Sequence, residues 1–331
     1  MPLQSPALLA YNCSQLLLTL TRLTAVKERL MPRSDSSAEP LRFGTVGAPQ
    51  TTPKPGGTPL AIAHSRALGL DHLEIAWVQS VRVTDEACAA IKAAAEQYNI
   101  TLSVHAPYFI NLNSQTAELM RKSDERLLAA ARKGFLAGAR DIVFHPASYH
   151  NQPPEKVYER VREKLLELTA ILRAEGVTVT LRPETMGKPA MFGTLDEIIQ
   201  LSRDVEGVLP AIDFAHLHAR DGKHNTYVEF RAMLKAIEDG LGRRGLETLH
   251  VHLSGIDYGP KGERQHIPLN EADFAYRELL QALIDVEARG TVGVEAPEPF
   301  HVADALTLQA TYRRLRAIHE GTVIEALEDE S

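Results

Sequence analysis

What this sequence lacks narrows its class before any motif is considered. Its 331 residues include only two cysteines, Cys13 and Cys88, and neither has a partner at a metal-ligand or redox spacing. A disulfide-stapled scaffold, a cysteine-ligated zinc module and a dithiol redox centre are thereby excluded, and a reducing, cytoplasmic setting is expected. Long apolar runs are also missing. The stretch Leu16 to Leu20 stops far short of the ~20 residues a membrane span needs and soon gives way to Arg22 and Lys27. No basic residue precedes it, so it does not read as a secretory signal, and no membrane partner is expected. An excess of basic charge is absent too: the formal net charge is -7, which leaves no broad positive face for gripping nucleic acid. Any such contact must be local. The charged runs Glu155 to Glu167 and Glu328 to Glu330 read as solvated helix faces or a tail.

What is present is a hydrophobic fraction of 44%, enough to fill one sizeable core. Residues 1–40 end in a polar, breaker-rich stretch from Pro32 to Pro40 and are expected to form an appendage, with Met31 an alternative start; residues 321–331 are expected to form an acidic tail. From Leu41 onward, short β-branched or apolar runs alternate with longer stretches at helical spacing. The strands expected are Arg42 to Val46, Leu73 to Val78, Thr101 to His105, Asp141 to His145, Val177 to Glu184, Leu209 to Asp213, Thr248 to Leu253 and Thr291 to Glu295. Helices are expected over Thr84 to Tyr98, Ser114 to Gly138, Pro154 to Ala174, Glu271 to Ala288 and Ala303 to His319. Eight β/α units within about 280 residues match an α/β fold of the (β/α)8 TIM-barrel kind over residues 41–320. A doubly wound open sheet is the alternative, because periodicity does not show closure.

The chemistry collects at the strand ends. His105 ends the third expected strand, His145 the fourth, Glu184 the fifth and Asp213 the sixth; His252 sits near the end of the seventh and Glu295 ends the eighth. In a barrel these ends meet on one face, where the βα loops build the active site. Any one of them alone reads as a hydrogen-bonded structural residue. Six at equivalent positions read otherwise, since three carboxylates and three imidazoles in one mouth are costly to bury without cations between them. Mixed imidazole and carboxylate donors suit zinc or manganese better than calcium or magnesium. His216 falls just beyond the sixth strand, in what reads as a loop. Ser254 to Gly259 followed by Lys261 to His266 reads as a glycine-rich polar loop at the same end, with a mobile surface connection as its plainer meaning.

The segments Ser103 to Leu112, Phe144-His145-Pro146, Pro183-Glu184-Thr185, Ile212 to His216, His252-Leu253 and Val294-Glu295 resemble, in order, those of the endonuclease IV family of apurinic/apyrimidinic (AP) endonucleases, within the xylose isomerase-like barrels. His-Ala-Pro-Tyr and Phe-His-Pro are the most specific of them. The resemblance implies a TIM barrel holding zinc, two or three ions, with manganese as the other option. It assigns one metal to His105, His145 and Glu184, and a second to Glu184, Asp213, His252 and Glu295. His216 would take a third together with residues of the loop after strand seven. There the family has an Asp and a His two residues apart, whereas this chain has Glu263 followed by Gln265 and His266; His266 and Glu263 are the expected ligands. The implied activity is hydrolysis of double-stranded DNA 5′ to abasic sites by a hydroxide held between cations, by a monomer. Glu184 would carry the catalytic burden, with Tyr108 contacting the DNA backbone or abasic sugar and Arg264 or Lys261 contacting phosphate.

The family's polar DNA-contacting loop after strand two is here Ala76 to Arg82, and Ser254-Gly255 replaces its Asn-Asp after strand seven. Arg182 should point inward with Glu184 by two-residue alternation, unless Pro183 disturbs that register, either paired to a barrel carboxylate or contacting phosphate. Two other functions fit parts of the pattern. A sugar isomerase or epimerase of the same superfamily needs one metal on Glu184, Asp213, His252 and Glu295, but not His105 and His145. A non-catalytic binder of damaged DNA would keep the mouth without cutting.

Overall fold

Each apolar run becomes a strand because both of its faces are covered, one by the interior of a barrel and the other by helices. The computed structural model describes residues 40–322. Its barrel strands, first to eighth, are Leu41–Val46, His72–Ala76, Thr101–His105, Asp141–Phe144, Thr180–Pro183, Ala211–Asp213, Leu249–Leu253 and Gly290–Val294. Seven parallel pairings link them in one sheet, with the eighth strand between the first and the seventh. Isolated parallel bridges, Leu181 to Val208 and Glu184 to Ala211, join the fifth strand to the sixth and close the ring. The eight expected strands are therefore all present within a few residues, and closure removes the open-sheet alternative.

The helices that cover the barrel are held by local chemistry. Thr84, Thr116, Thr194 and Thr226 each accept a hydrogen bond from a first-turn amide, and Thr194 and Thr226 form capping boxes with Glu197 and Glu229. Pro154–Ala174 buries Val157, Val161, Leu165, Leu168 and Leu172 along one stripe, each buried leucine contributing about 1.5–3 kcal/mol. No helix among the described residues is long and apolar enough to cross a membrane. The expected appendage and acidic tail lie outside the described residues, apart from Pro40, Gly321 and Thr322.

Two expectations are corrected at the C-terminal end of the barrel. His216 is not in a loop: Asp213 caps a short helix, Phe214–Asp221, by accepting from the His216 amide at 2.7 Å. The segment after strand seven is not an irregular loop either, but an antiparallel hairpin of Gly255–Gly259 and Gly262–Ile267.

At the opposite end, Arg182 does face inward, in keeping with the alternation. Its Nε donates to Asp141 Oδ1 at 2.6 Å, Nη1 to Pro210 O at 2.9 Å and Nη2 to Thr248 O at 2.8 Å. Of its two readings the buried ion pair is the one the structure contains, with all three guanidinium nitrogens engaged at this end of the barrel.

Candidate metal centre

Closure of the barrel brings the six strand-end residues together around Glu184, which is 0% exposed. Glu184 Oε2 lies 3.5 Å from His105 Nε2 and 3.2 Å from His145 Nε2. Its other oxygen, Oε1, lies 3.1 Å from His252 Nδ1 and 3.4 Å from His216 Nδ1. His252 Nδ1 also lies 3.6 Å from Glu295 Oε1, and His216 Nδ1 lies 3.5 Å from Asp213 Oδ2. The donor atoms fall into three overlapping groups at the mouth, each with its members within 4.8 Å of one another: His105, His145 and Glu184; Glu184, Asp213, His252 and Glu295; and His216, His266 and Glu295.

Local contacts turn the rings. His105 Nδ1 lies 2.9 Å from Ala106 O and His216 Nδ1 lies 3.0 Å from Thr185 O. A carbonyl only accepts, so Nδ1 carries a proton in both rings and Nε2 is the nitrogen turned toward the mouth. Ser254 Oγ meets His266 Nδ1 and leaves His266 Nε2 facing Glu295 Oε2 at 3.5 Å. The serine that stands in place of the family's Asn-Asp thus orients a mouth histidine.

Four buried atoms here have no hydrogen-bond partner: Glu184 Oε2, His105 Nε2, Asp213 Oδ2 and His216 Nε2. Each such orphan costs about 1–3 kcal/mol. Orphaned imidazole nitrogens and carboxylate oxygens at these separations are the donor set a zinc- or manganese-type cation takes, so the residues fit the group. The electrostatics point the same way. Burial pushes the Glu184 carboxyl up, but His252 and the contacts with His105, His145 and His216 outweigh it and hold the group well below the usual carboxylate range. Asp213 is pushed up to about 7 by burial and by Glu184 and Glu295, against the pull of His216. Against burial, Asp213 and Glu184 hold His216 well above the ordinary histidine value, and Glu74, Glu295 and Glu184 do the same for His252.

The hairpin answers how Glu263 and His266, three residues apart, compare with a family spacing of two. Its register shifts between Asp257 and Tyr258, which pair with Gln265 and Glu263, so Arg264 is an extra residue in a β-bulge. The bulge absorbs one position and returns Glu263 and His266 to the same face, where both line the mouth. Glu263 Oε2 lies 3.6 Å from His216 Nε2. Gly187 makes room for this approach: a Cβ there would sit 2.7 Å from Glu263 Cβ and 3.1 Å from His216 Cδ2.

The mouth opens on a cavity of about 390 Å³ that Tyr108, His145, Lys188, His216, Glu263, His266 and Glu295 help to line. Tyr108 is 47% exposed; its ring stacks on His145 at 5.2 Å between centroids and 26° between planes, and meets His105 edge-on. Burial, Glu295 and Glu184 push its hydroxyl pKa up, so it stays protonated and able to donate. Arg264 is different: its side chain is 60% exposed, lies 3.4 Å from Asp257 and does not line the cavity. Lys261 is exposed at the hairpin tip. Sequence reasoning missed Lys188, and it missed a buried layer below the mouth formed by His72, Glu74, Ser103 and His250. The signal for that layer was present as the alternations His72-Leu73-Glu74 and His250-Val251-His252.

Fold and mouth together define a TIM barrel with a carboxylate–imidazole cluster at the C-terminal ends of its strands. More narrowly, the chain belongs to the xylose isomerase-like TIM barrel family, whose model matches residues 62–317. An uncharacterised protein of Methanocaldococcus jannaschii is 37% identical over 276 residues, 83% of this chain and 98% of that protein. The "Probable endonuclease 4" of Staphylococcus carnosus is 28% identical over 179 residues, 52% of this chain and 58% of its own length. Among solved structures, endonuclease IV from Thermus thermophilus superposes with a TM-score of 0.66 at 22% identity, covering 82% of this chain and 99% of that one. D-psicose 3-epimerase from Clostridium cellulolyticum superposes at 0.61 and 17%, covering 83% and 99%. At such identities the structural likeness establishes the fold alone.

Proposed function

We propose that this chain is a metal-dependent phosphodiesterase of the endonuclease IV kind, a hydrolase that cleaves damaged double-stranded DNA on the 5′ side of abasic sites. The observation that carries this reading is the position of Glu184 between two ligand sets, with His105 and His145 at Oε2 and His252 and His216 at Oε1. One carboxylate reaching two sets is the arrangement of a bridge between cations. A one-metal epimerase is complete with Glu184, Asp213, His252 and Glu295, and leaves His105 and His145 without work.

In the proposed centre, His105, His145 and Glu184 would hold one zinc or manganese ion, and Glu184, Asp213, His252 and Glu295 a second. His216, His266 and Glu263 would hold a third. When bound, such cations supply a water of lowered pKa and neutralise phosphodiester charge. The chain's own residues bind and orient. Tyr108, protonated at the rim, donates to a phosphate or sugar oxygen. Lys188 in the cavity wall, with Arg264 and Lys261 on the hairpin, contacts phosphate locally, which suits a chain of net charge -7. The cavity is in the size class of a single small ligand, so an extruded abasic sugar and its phosphate fit where a duplex does not.

Incubating an abasic-site duplex with the protein and zinc or manganese, with and without chelator, tests the reading by strand scission. Metal-dependent cleavage is expected. Binding without scission would point to a damaged-DNA binder. The epimerase remains the second reading because its four ligands form one complete group here; one metal per chain together with ketose epimerisation would establish it.

A further inference from the structure

Beneath the mouth lies a polar layer that the proposed reaction does not use. His72 and Glu74 of the second strand, Ser103 of the third, His250 of the seventh and Thr291 of the eighth are buried in the barrel interior. Glu74 is the hub of this layer. Its Oε2 accepts from Ser103 Oγ and lies 2.9 Å from His250 Nε2. His250 is held in turn by Thr291 Oγ1, 2.8 Å from its Nδ1. The other oxygen, Glu74 Oε1, lies 3.0 Å from His252 Nε2. Neither of those two atoms forms an aligned hydrogen bond among the described residues, so the 3.0 Å contact between them is an ion-pair approach.

His252 is therefore spanned top and bottom. Nε2 meets Glu74 below, while Nδ1 faces Glu184 Oε1 at 3.1 Å and Glu295 Oε1 at 3.6 Å above. A carboxylate only accepts, so each ring nitrogen of His252 has an acceptor before it; a cation held through Nδ1 would leave the ring's one proton on Nε2, against Glu74. A carboxylate behind a ligating imidazole fixes ring and tautomer and raises the basicity of the ligating nitrogen.

We infer that Glu74 is a positioning residue for the metal centre, a buried carboxylate that locks His252 with its proton on Nε2 so that Nδ1 is presented as a ligand to the cation shared with Glu184, Asp213 and Glu295. Ser103 and His250 keep Glu74 in place. The inference rests on the metal-centre reading proposed above, but not on DNA being the substrate.

The test uses the full chain, stripped with chelator and reloaded with zinc chloride. Metal per chain, zinc affinity by chelator competition and Tm in chelator are measured for wild type, Glu74→Gln and Glu74→Asp. Glu74→Gln is expected to weaken zinc binding about 10–100-fold, the scale of a lost partner behind a metal ligand. Tm in chelator should change far less than zinc affinity, and Glu74→Asp should recover part of that affinity. Wild-type affinity in Glu74→Gln would overturn the inference. So would loss of one whole ion per chain with the remaining ions held as before, because Glu74 would then itself be a ligand, with His72 and His250. Should Glu74→Gln fail to fold, ¹⁵N imidazole spectra of the zinc-loaded wild type decide: a proton on His252 Nε2 is expected, and one on Nδ1 overturns the inference. Zinc binding without scission of abasic DNA would defeat the proposed substrate and leave Glu74's role standing, whereas a wild type that takes up no zinc defeats both.

Discussion

The two ends of the barrel interior bury the same kinds of side chain and treat them in opposite ways. At the N-terminal end, Arg182 places its nitrogens on Asp141, Pro210 O and Thr248 O, and Arg42 Nη1 donates to Thr101 Oγ1 at 2.6 Å. The charges close on one another. At the C-terminal end, Glu184 Oε2, His105 Nε2, Asp213 Oδ2 and His216 Nε2 stand within a few ångströms of one another with no hydrogen bond at all. Buried polar groups are as a rule satisfied, so the network that closes reads as scaffold, and the open one is the donor set that the proposed cations would satisfy. Net charge and composition do not distinguish the two ends; only the hydrogen-bond accounting does.

Three substitutions should break this contrast, with the largest effect at the open end. Glu184→Gln removes the carboxylate common to two ligand groups. Abasic-duplex scission should fall about a thousandfold or more, since several kcal/mol of transition-state charge stabilisation goes with the cations; cleavage at the wild-type rate would end the bridging role. The closed end should answer in stability instead. Asp141→Asn strands the Arg182 guanidinium without its counter-charge and should cost about 3–5 kcal/mol by denaturant unfolding, with zinc affinity unchanged. Asp213→Asn makes the complementary case. In chelator it relieves the proximity of Asp213 to Glu184 and Glu295 and should cost little stability or none, while zinc binding weakens. A loss as large as that of Asp141→Asn would mean that the two ends do not differ.

How much of this contrast could be read from the chain follows from the range of each interaction. The ligand-bearing strand ends were legible because a change from period two to helical spacing marks where a strand stops, and His105, Glu184 and Glu295 stand at such changes. That they meet depends on closure between Leu181 and Val208, which periodicity does not encode. Inward pointing of Arg182 was legible from alternation with Glu184, yet its role was not, because Asp141 is on another strand. Glu74 and His250 sit mid-strand 176 positions apart, so nothing local ties them to one hub. The helix Phe214–Asp221 is too short to show a period, and its only sequence mark is the capping Asp213. The bulge at Arg264 is the subtlest case: it converts a spacing of three into a shared face, and only the hairpin register reveals it.

A gentler probe of the open end is the ligand itself. If the orphaned atoms are a site, zinc at about one hundred times its Kd should raise the unfolding free energy by about 2.7 kcal/mol, and chelator should reverse the gain. The same addition to Glu184→Gln should give a much smaller rise. An equal rise in both would place the cation elsewhere on the protein and break the link between orphaned atoms and ligand.

The smallest effect expected is the pH dependence of the closed end. Burial favours a neutral Asp141, but Arg182, with help from His250 and His72, outweighs it and lowers the pKa below the ordinary value. An acid with a depressed folded-state pKa binds fewer protons folded than unfolded, so its contribution is fully present above the unfolded value, near 4, and is lost as pH falls through the folded one. Other carboxylates titrate in the same range, and the Asp141→Asn variant subtracts them. In chelator, the stability gap between wild type and Asp141→Asn should hold constant from neutral pH down to about 5 and then narrow as the acid limb is entered. A gap that stayed constant into strong acid, or widened there, would mean that Arg182 is held by the carbonyls of Pro210 and Thr248 rather than by the charge of Asp141. In that case the closed end would be closed by geometry alone.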